Sequence, residues 1–484
     1  MDRQECRYEH FYISGEWVGA STSHVITPVN PSTEVALGSV PKALEADVDA
    51  AVDAARRAFD ERGGWAGWEP GHRAEVMERF ATEIEARAGR IAEFVSLQNG
   101  MPISMSRQLE AGYPTEVLRY YAGLARTSDF SEVRRGLLGG SVEVRRVPAG
   151  VVAAIVPWNY PQVLSMFKIA PAMAAGCTVV LKPSPEAVFD SFLVAEAAEA
   201  AGVPAGVLNV VPGGREAGAH LVAHPGVDKV AFTGSTPAGR AVAETCGRLL
   251  RPVTLELGGK SAGIILDDAE LDPGTIGEDL VRATLTNNGQ TCFLSTRILA
   301  PRSRYAEVVD LVTELARTLP VGDAMDENTL IGPLATAHQR ERVEGHIAKG
   351  RSEGGRVTTG GGRPVGLDKG WFVEPTVFAD VDNGFVVAQE EIFGPVLCVL
   401  PYDDVDDAVR IANDSDYGLG GTVWTSDPER GAAVARRVST GTIGVNRYLP
   451  DPVAPFGGVK ASGLGTELGP EGLESYLHIQ SVYC

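Results

Sequence analysis

The chain has 484 residues, 44% of them hydrophobic, so it can bury large cores and, at about 100–200 residues per domain, divides into two or three domains. Its 43 Lys and Arg against 63 Asp and Glu leave a net charge of −20, which argues against nucleic-acid or anionic-membrane binding, since both need a basic face. Six scattered cysteines, with no CxxC or Cys/His spacing, give neither a disulfide framework nor a zinc site. The charged start MDRQECRYEH lacks the apolar segment of a secretory signal, and no apolar run approaches the roughly 18 residues of a membrane span. A cytoplasmic protein is expected.

The first third reads as helical. DVDAAVDAARRAFDE places Val48, Val52, Ala55 and Phe59 on one face, with Asp47 as the expected cap. A second helix is expected over 71–97, stacking Val76, Phe80 and Ile84 into a core. Residues 130–147, FSEVRRGLLGGSVEVRRV, alternate around Gly139 and Gly140 and predict a hairpin exposed on both faces. Such a hairpin is either a plain edge element or an arm reaching a partner subunit.

From Pro148 the pattern becomes strand and helix in alternation. GVVAAIVPW, TVVLKP, GVLNVVPG and KVAFTG are short β-branched runs ending in Gly or Pro, with alanine-rich helical stretches such as 191–201 between them. That alternation predicts an α/β fold with parallel sheets covered on both faces. It pauses at LELGGK (255–260), resumes with SAGIILDD and a helix near 272–287, and continues to about residue 446. Two α/β lobes with a seam near residue 257 follow.

Several strand ends carry groups with chemical potential, each with a plainer alternative. FTGSTPAGR (232–240) opens a helix with bare Gly234 and Gly239 and the hydroxyls of Ser235 and Thr236, which suits a phosphate. It lacks the middle glycine of GxGxxG and reads equally as a glycine-rich turn. Lys182 in LKPSPE stands at the carboxyl end of a strand, where open sheets bind ligands, or is simply a solvated lysine. Asn159 in PWNYP is stiffly held and can donate to a developing oxyanion, or cap a turn. Glu256 sits among apolar and glycine neighbours, where desolvation raises a carboxyl pKa toward that of a general base; a structural ion pair is the alternative. Cys292, in NNGQTCFLSTR, is a nucleophile or an ordinary buried thiol.

The order PWNYP, LKPSPE, FTGSTPAG, LELGGK, GQTC, EEIFGPV (390–396) and PFGGVKASG (455–463) closely resembles the NAD(P)-dependent aldehyde dehydrogenase superfamily, from about residue 10 to the C-terminus. The resemblance implies Cys292 as nucleophile, Glu256 as general base and Asn159 as oxyanion donor together with the Cys292 amide. It implies NAD, with NADP possible, bound by Ile155, Val156, Pro157, Trp158, Lys182, Ser184, Gly214, Gly234, Ser235, Gly239, Leu257, Glu391 and Phe393. Lys460 belongs to a closing C-terminal segment. No metal is implied. The expected reaction is oxidation of an aldehyde to the acid through a thiohemiacetal and a thioester, in a homodimer or homotetramer.

The domains expected are a cofactor-binding lobe (1–125 and 148–257), a catalytic lobe (258–456), and an oligomerisation arm and tail (126–147 and 457–484). Two departures from the family pattern bear on specificity. Many NAD-preferring relatives place a glutamate three residues after the ribose-binding lysine; here that position is Pro185 and the acid follows at Glu186, so a group that would repel a 2′-phosphate is missing and, with NAD the first choice, NADP is tolerable. Phe293 and Leu294 follow the cysteine and, with Tyr160, Phe167 and Tyr448, predict an apolar tunnel for a medium-sized aliphatic or aromatic aldehyde. The alternatives are a CoA-acylating relative, disfavoured by Glu256, a cofactor-independent cysteine hydrolase, which lacks a recognisable histidine partner, and a non-catalytic binding role, which the intact Asn159, Glu256 and Cys292 set disfavours.

Overall fold

The computed structural model describes residues 6–484. An eight-stranded sheet runs in the order Gly463–Leu464, Val253–Glu256, Lys229–Thr233, Val151–Ile155, Thr178–Lys182, Leu208–Val210, His10–Ile13 and Glu16–Gly19. Its five central strands are parallel and its edges antiparallel. The parallel strands are rich in Val, Ala and Ile and buried on both faces, because helices cover both. The chain starts the parallel set at Val151–Ile155, winds outward through Thr178–Lys182 and Leu208–Val210, then crosses back to Lys229–Thr233 on the other side. That reversal opens a crevice at the carboxyl ends of Val151–Ile155 and Lys229–Thr233.

A seven-stranded sheet follows, in the order Arg356–Thr359, Thr376–Ala379, Val396–Tyr402, Arg297–Pro301, Ala262–Ile265, Gly421–Trp424 and Gly444–Val445. It is parallel except at the Arg356–Thr359 edge. The α/β architecture with two parallel-sheet lobes is as expected. A third, antiparallel sheet joins Ser131–Arg135 and Ser141–Pro148 to the C-terminal strand Leu477–Tyr483. At its turn Leu137 and Leu138 are fully exposed.

Several local expectations are corrected. Residues 6–41 are not helical; they hold short strands, two of which extend the large sheet. Asp47 is not the N-cap residue but caps the helix start from its third position. The helix spans Glu45–Asp60 after Leu44, and the Asp47 carboxylate, one turn in, accepts the Leu44 N–H at 2.9 Å and both the N–H and hydroxyl of Ser21 at 2.7 Å. The helix expected over 71–97 is two, Pro70–Ala86 and Ala88–Asn99, because Arg87 leaves helical geometry at φ −103°, ψ 3°. The helix near 272–287 ends at Leu285, where the chain turns into the cysteine segment.

Candidate active site

Cys292 and Glu391 precede the strands Arg297–Pro301 and Val396–Tyr402, at the amino edge of the seven-stranded sheet. Glu256, Asn159 and Lys182 lie at or beyond carboxyl ends of the eight-stranded sheet. The site is therefore the seam where the two sheets meet.

The approach to Cys292 is unusual backbone. Asn287, Asn288 and Gly289 all have left-handed φ, at 52°, 58° and 73°. Such conformations cost free energy in non-glycine residues and persist only where surroundings enforce them. Here the side chains do the enforcing. Asn288, wholly buried, donates to the carbonyls of Gly100 at 2.9 Å and Pro333 at 3.0 Å, and accepts the Gly332 N–H at 2.6 Å. Asn287 donates to the Asn159 carbonyl at 2.9 Å. At Gly289 a side chain has no room, since a Cβ would lie 2.2 Å from the Gly394 carbonyl oxygen. The cysteine segment is thus pinned to both lobes.

Asn159 and the cysteine segment are tied directly. The Asn159 amide donates to the Gln290 carbonyl at 3.0 Å, which uses one of its two N–H hydrogens and leaves the other for a ligand. Next door, the Tyr160 hydroxyl and Thr291 Oγ1 are 2.8 Å apart. Cys292 is half-buried. Burial pushes its thiol pKa up, and the carboxyls of Glu391 and Glu256 push it further. The resting group is a neutral thiol that needs a base or a cation to become a thiolate.

Glu256 is buried, and neither carboxylate oxygen has a hydrogen-bond partner among the described residues. Desolvation raises its pKa well above the ordinary range, the neighbouring Glu467 adds to the rise, and Lys168 opposes it. Lys168 Nζ donates to Glu467 Oε1 at 2.7 Å and Thr233 Oγ1 at 2.6 Å, all out of contact with water. Lys168 and Glu467 are site residues that sequence reasoning missed. A lysine inside the apolar helix segment SMFKIAPAMAA was a usable signal for a buried cation; its partner, 299 positions away, gave none.

Glu391 Oε1 accepts the Gly259 N–H at 3.0 Å. Gly258 and Gly259 are bare for a steric reason: a Cβ on the first would lie 2.5 Å from Glu391 Oε2, and on the second 2.3 Å from the Cys292 carbonyl oxygen. Phe393 has left-handed φ, 60°, and packs edge-on to Trp158 with ring centroids 5.5 Å apart. Gln339 donates to its carbonyl at 2.7 Å and holds that strained turn.

The remaining expected residues gather around the crevice. Ile155 ends its strand, and the chain runs on through Val156 and Pro157 to Trp158; the Val156 N–H donates to the Lys182 carbonyl at 3.2 Å. Lys182 Nζ donates to the carbonyls of Pro183 at 2.8 Å and Gly213 at 2.9 Å, and desolvation lowers its pKa to about 8. Gly214 precedes the helix Arg215–Ala223. The Ser184 hydroxyl is bonded to Glu186, whose charge opposes the stronger effect of burial on the Lys182 pKa. Ser235 caps the thirteen-residue helix Thr236–Arg248, accepting the Ala238 N–H at 3.4 Å. Gly234 donates its N–H to the Glu256 carbonyl at 3.0 Å. Gly239 packs on Leu257, where a Cβ would lie 2.4 Å from Leu257 Cδ2. Lys460 is a clamp, donating to the carbonyls of Asn413 at 2.7 Å and Ser415 at 2.9 Å.

This donor set fits a dinucleotide: a helix N-terminus for phosphate, a buried ammonium among carbonyls for ribose hydroxyls, and aromatic and carboxylate groups near the thiol. The histidines do not form a hydrolase triad with Cys292. His220 and His224 both engage Asp49, at 2.5 and 3.3 Å, and the Gly226 N–H donates to His224 Nδ1, which places the neutral ring's proton on Nε2 facing Asp49.

The chain matches the model of the aldehyde dehydrogenase family over residues 17–482. It is 53% identical over 476 residues to geranial dehydrogenase of Castellaniella defragrans, covering 98% of each chain. It is 43% identical over 478 residues to 3-succinoylsemialdehyde-pyridine dehydrogenase of a Pseudomonas species, again covering 98% of each. Among solved structures, it superposes with TM-score 0.96 at 47% identity on a Mycobacterium tuberculosis aldehyde dehydrogenase complexed with NAD+, covering 99% of this chain and 98% of that one. A Pseudomonas syringae aldehyde dehydrogenase mutant in complex with NAD+ and octanal gives TM-score 0.94 at 41% identity, covering 98% and 96%.

Proposed function

The chain belongs to the aldehyde dehydrogenase family, and from that premise we propose that it oxidises a medium-sized apolar aldehyde to its carboxylic acid with NAD+, through a covalent adduct on Cys292. The observation that carries the reading is the unpartnered, buried Glu256 carboxylate whose charge reaches the Cys292 thiol.

The thiol transfers its proton to Glu256 and the sulfur attacks the carbonyl carbon. The oxygen that gains charge accepts from the free N–H of Asn159 and from the Cys292 amide. When bound, NAD+ would supply the hydride acceptor that turns the adduct into a thioester. The residues suited to hold it are the crevice set above, with Lys182, Ser184 and the Thr236–Arg248 helix at one end and Glu391 and Phe393 at the other. Glu256, after releasing the thiol proton to solvent, deprotonates a water that attacks the thioester carbonyl; the carbon–sulfur bond breaks, the acid leaves, and the sulfur takes a proton back from Glu256.

The base works ionised, so activity rises with pH through the raised pKa of Glu256. Lys168→Met removes the cation that holds that pKa down and should move the acid limb of the kcat/KM profile to higher pH. Glu467→Gln removes the carboxyl that holds it up and should move the limb to lower pH. Initial rates across pH for both variants check the pair; shifts in the same direction would contradict it.

An aromatic enclosure supports an apolar substrate. Phe293 stands edge-on to Tyr448 at 5.0 Å and to Phe456 at 6.1 Å between ring centroids, Phe167 lies 6.5 Å from Phe456, and Tyr113 lies 6.1 Å from Phe167. Leu294 is buried, and Tyr160 turns its hydroxyl to Thr291. The geranial and octanal named for two relatives are of the same chemical kind. The deciding experiment is NADH formation over octanal, a branched unsaturated aldehyde, benzaldehyde and betaine aldehyde; the highest kcat/KM for betaine aldehyde would overturn this assignment.

NAD is favoured over NADP because relatives of the same fold are complexed with NAD+ and because the Glu186 charge, which acts on Lys182, would also oppose a 2′-phosphate. Glu186→Ala should raise kcat/KM with NADP relative to NAD about fivefold, as loss of one screened contact of about 1 kcal/mol implies. An unchanged cofactor ratio would remove Glu186 from the discrimination.

We also read the lobes as a cofactor-binding domain (1–125 and 148–257) and a catalytic domain (258–456), with 126–147 and 457–484 forming an oligomerisation arm and tail. The exposed three-stranded sheet with Leu137 and Leu138 at its tip supports a homodimer or homotetramer. Among the described residues no helix is long and apolar enough to cross a membrane. Six free cysteines support a cytoplasmic setting.

A further inference from the structure

Ahead of the helix Tyr113–Thr127, residues Arg107–Gly112 form a π-helical turn. Such wide turns recur where a side chain must be placed for function. This one buries Glu110 completely against the start of the helix Pro161–Ala175. Glu110 Oε2 accepts the Gln162 backbone N–H at 2.7 Å, while Oε1 has no partner among the described residues.

That N–H belongs to the first turn of the helix, where backbone donors have no partner within the helix. Pro161 has no N–H, and the preceding Tyr160 offers no capping side chain. A carboxyl from a distant helix thus caps the helix that starts two residues after Asn159. The same short stretch is tied elsewhere by Asn99, which donates to the carbonyls of Trp158 at 3.0 Å and Asn159 at 3.2 Å, and by Asn287. Gln162 is anchored further by its own amide, which donates to Asp190 Oδ2 at 2.7 Å. The carbonyls of the turn are held from one side and its N–H from the other.

We propose that Glu110 is a positioning residue for catalysis: by capping Pro161–Ala175 it sets the place of the Asn159 amide relative to Cys292. The inference rests on the assignment of Asn159 as oxyanion donor. A donor displaced by about 1 Å can cost about 10²-fold in rate.

A double-mutant cycle tests it. Asn159→Ala alone should lower kcat about 10²–10³-fold. Glu110→Leu should lower kcat at least about tenfold, within the range expected for a misplaced donor, with little change in KM for NAD. Glu110→Gln, which keeps an acceptor oxygen, should stay within about threefold of wild type, because the neutral amide oxygen can still cap. In the Asn159→Ala background, Glu110→Leu should add no further loss. A loss that multiplies fully onto that of Asn159→Ala, or no loss from Glu110→Leu alone, overturns the positioning role. Should the leucine variant not fold, Glu110→Asn, whose amide is one methylene too short to reach Gln162, enters the same cycle and is judged by the same two results. If Asn159→Ala itself keeps full kcat, the oxyanion assignment fails first, and the inference with it.

Discussion

Cys292→Ala is expected to produce no NADH with any aldehyde, in the steady state or in the first turnover. Every later step needs the bond between sulfur and the carbonyl carbon, and no second thiol is tied to Asn159 through its own segment. The variant should still fold. The backbone there is held by Asn287, Asn288 and Gly289, and the carbonyl of residue 292 packs against Gly259 whatever side chain it carries. Binding of NAD, followed by fluorescence, and Tm should stay near wild type, so a silent enzyme reports chemistry and not collapse. Ordinary turnover by this variant would contradict the assignment of the nucleophile.

Glu256→Gln should separate the two halves of the reaction. Hydride leaves before water enters, so the first turnover should survive better than the second: a burst of NADH near one per subunit, then a steady rate lowered by about 10²–10⁴, the usual worth of a general base. Some slowing of the burst is expected as well, because Glu256 also receives the thiol proton. Stopped-flow absorbance separates these phases. The substitution has an independent signature in stability. The wild-type carboxyl is desolvated, unpartnered and beside Glu467, so a neutral amide of the same shape relieves repulsion where none of its bonds is lost. Tm should hold or rise. A burst lost in proportion to the steady rate would mean that Glu256 serves only the first half.

How much of this was legible before folding differs by element. The parallel strands were, since runs such as GVVAAIV and TVVLK are apolar, β-branched and closed by Gly or Pro, and their burial on both faces leaves no polar alternation to confuse them. The strands His10–Ile13 and Glu16–Gly19 were not, because HFYISGEWVG is short and takes its strand character from pairing with a sheet assembled two hundred residues later. At the site, motif order brought Asn159, Glu256 and Cys292 into view. It did not reveal that Asn287 and Asn288 bend left-handed and fasten the nucleophile to both lobes, nor that Glu110 caps the neighbouring helix. Those facts reside in contacts between segments far apart in the chain, and no local preference encodes them.

The Lys168–Glu467 pair also sets a schedule. Glu467 follows Lys168 by 299 positions, and the strand that flanks Glu256 at the sheet edge, Gly463–Leu464, is nearly as late. A growing polypeptide can therefore make every crevice segment up to Phe393 before the partner of Lys168 exists, so the buried surroundings of Glu256 close late. A premature stop at position 465, 466 or 467, though it spares every residue named by the family motifs, would leave Lys168 buried without its carboxylate and Glu256 in altered surroundings.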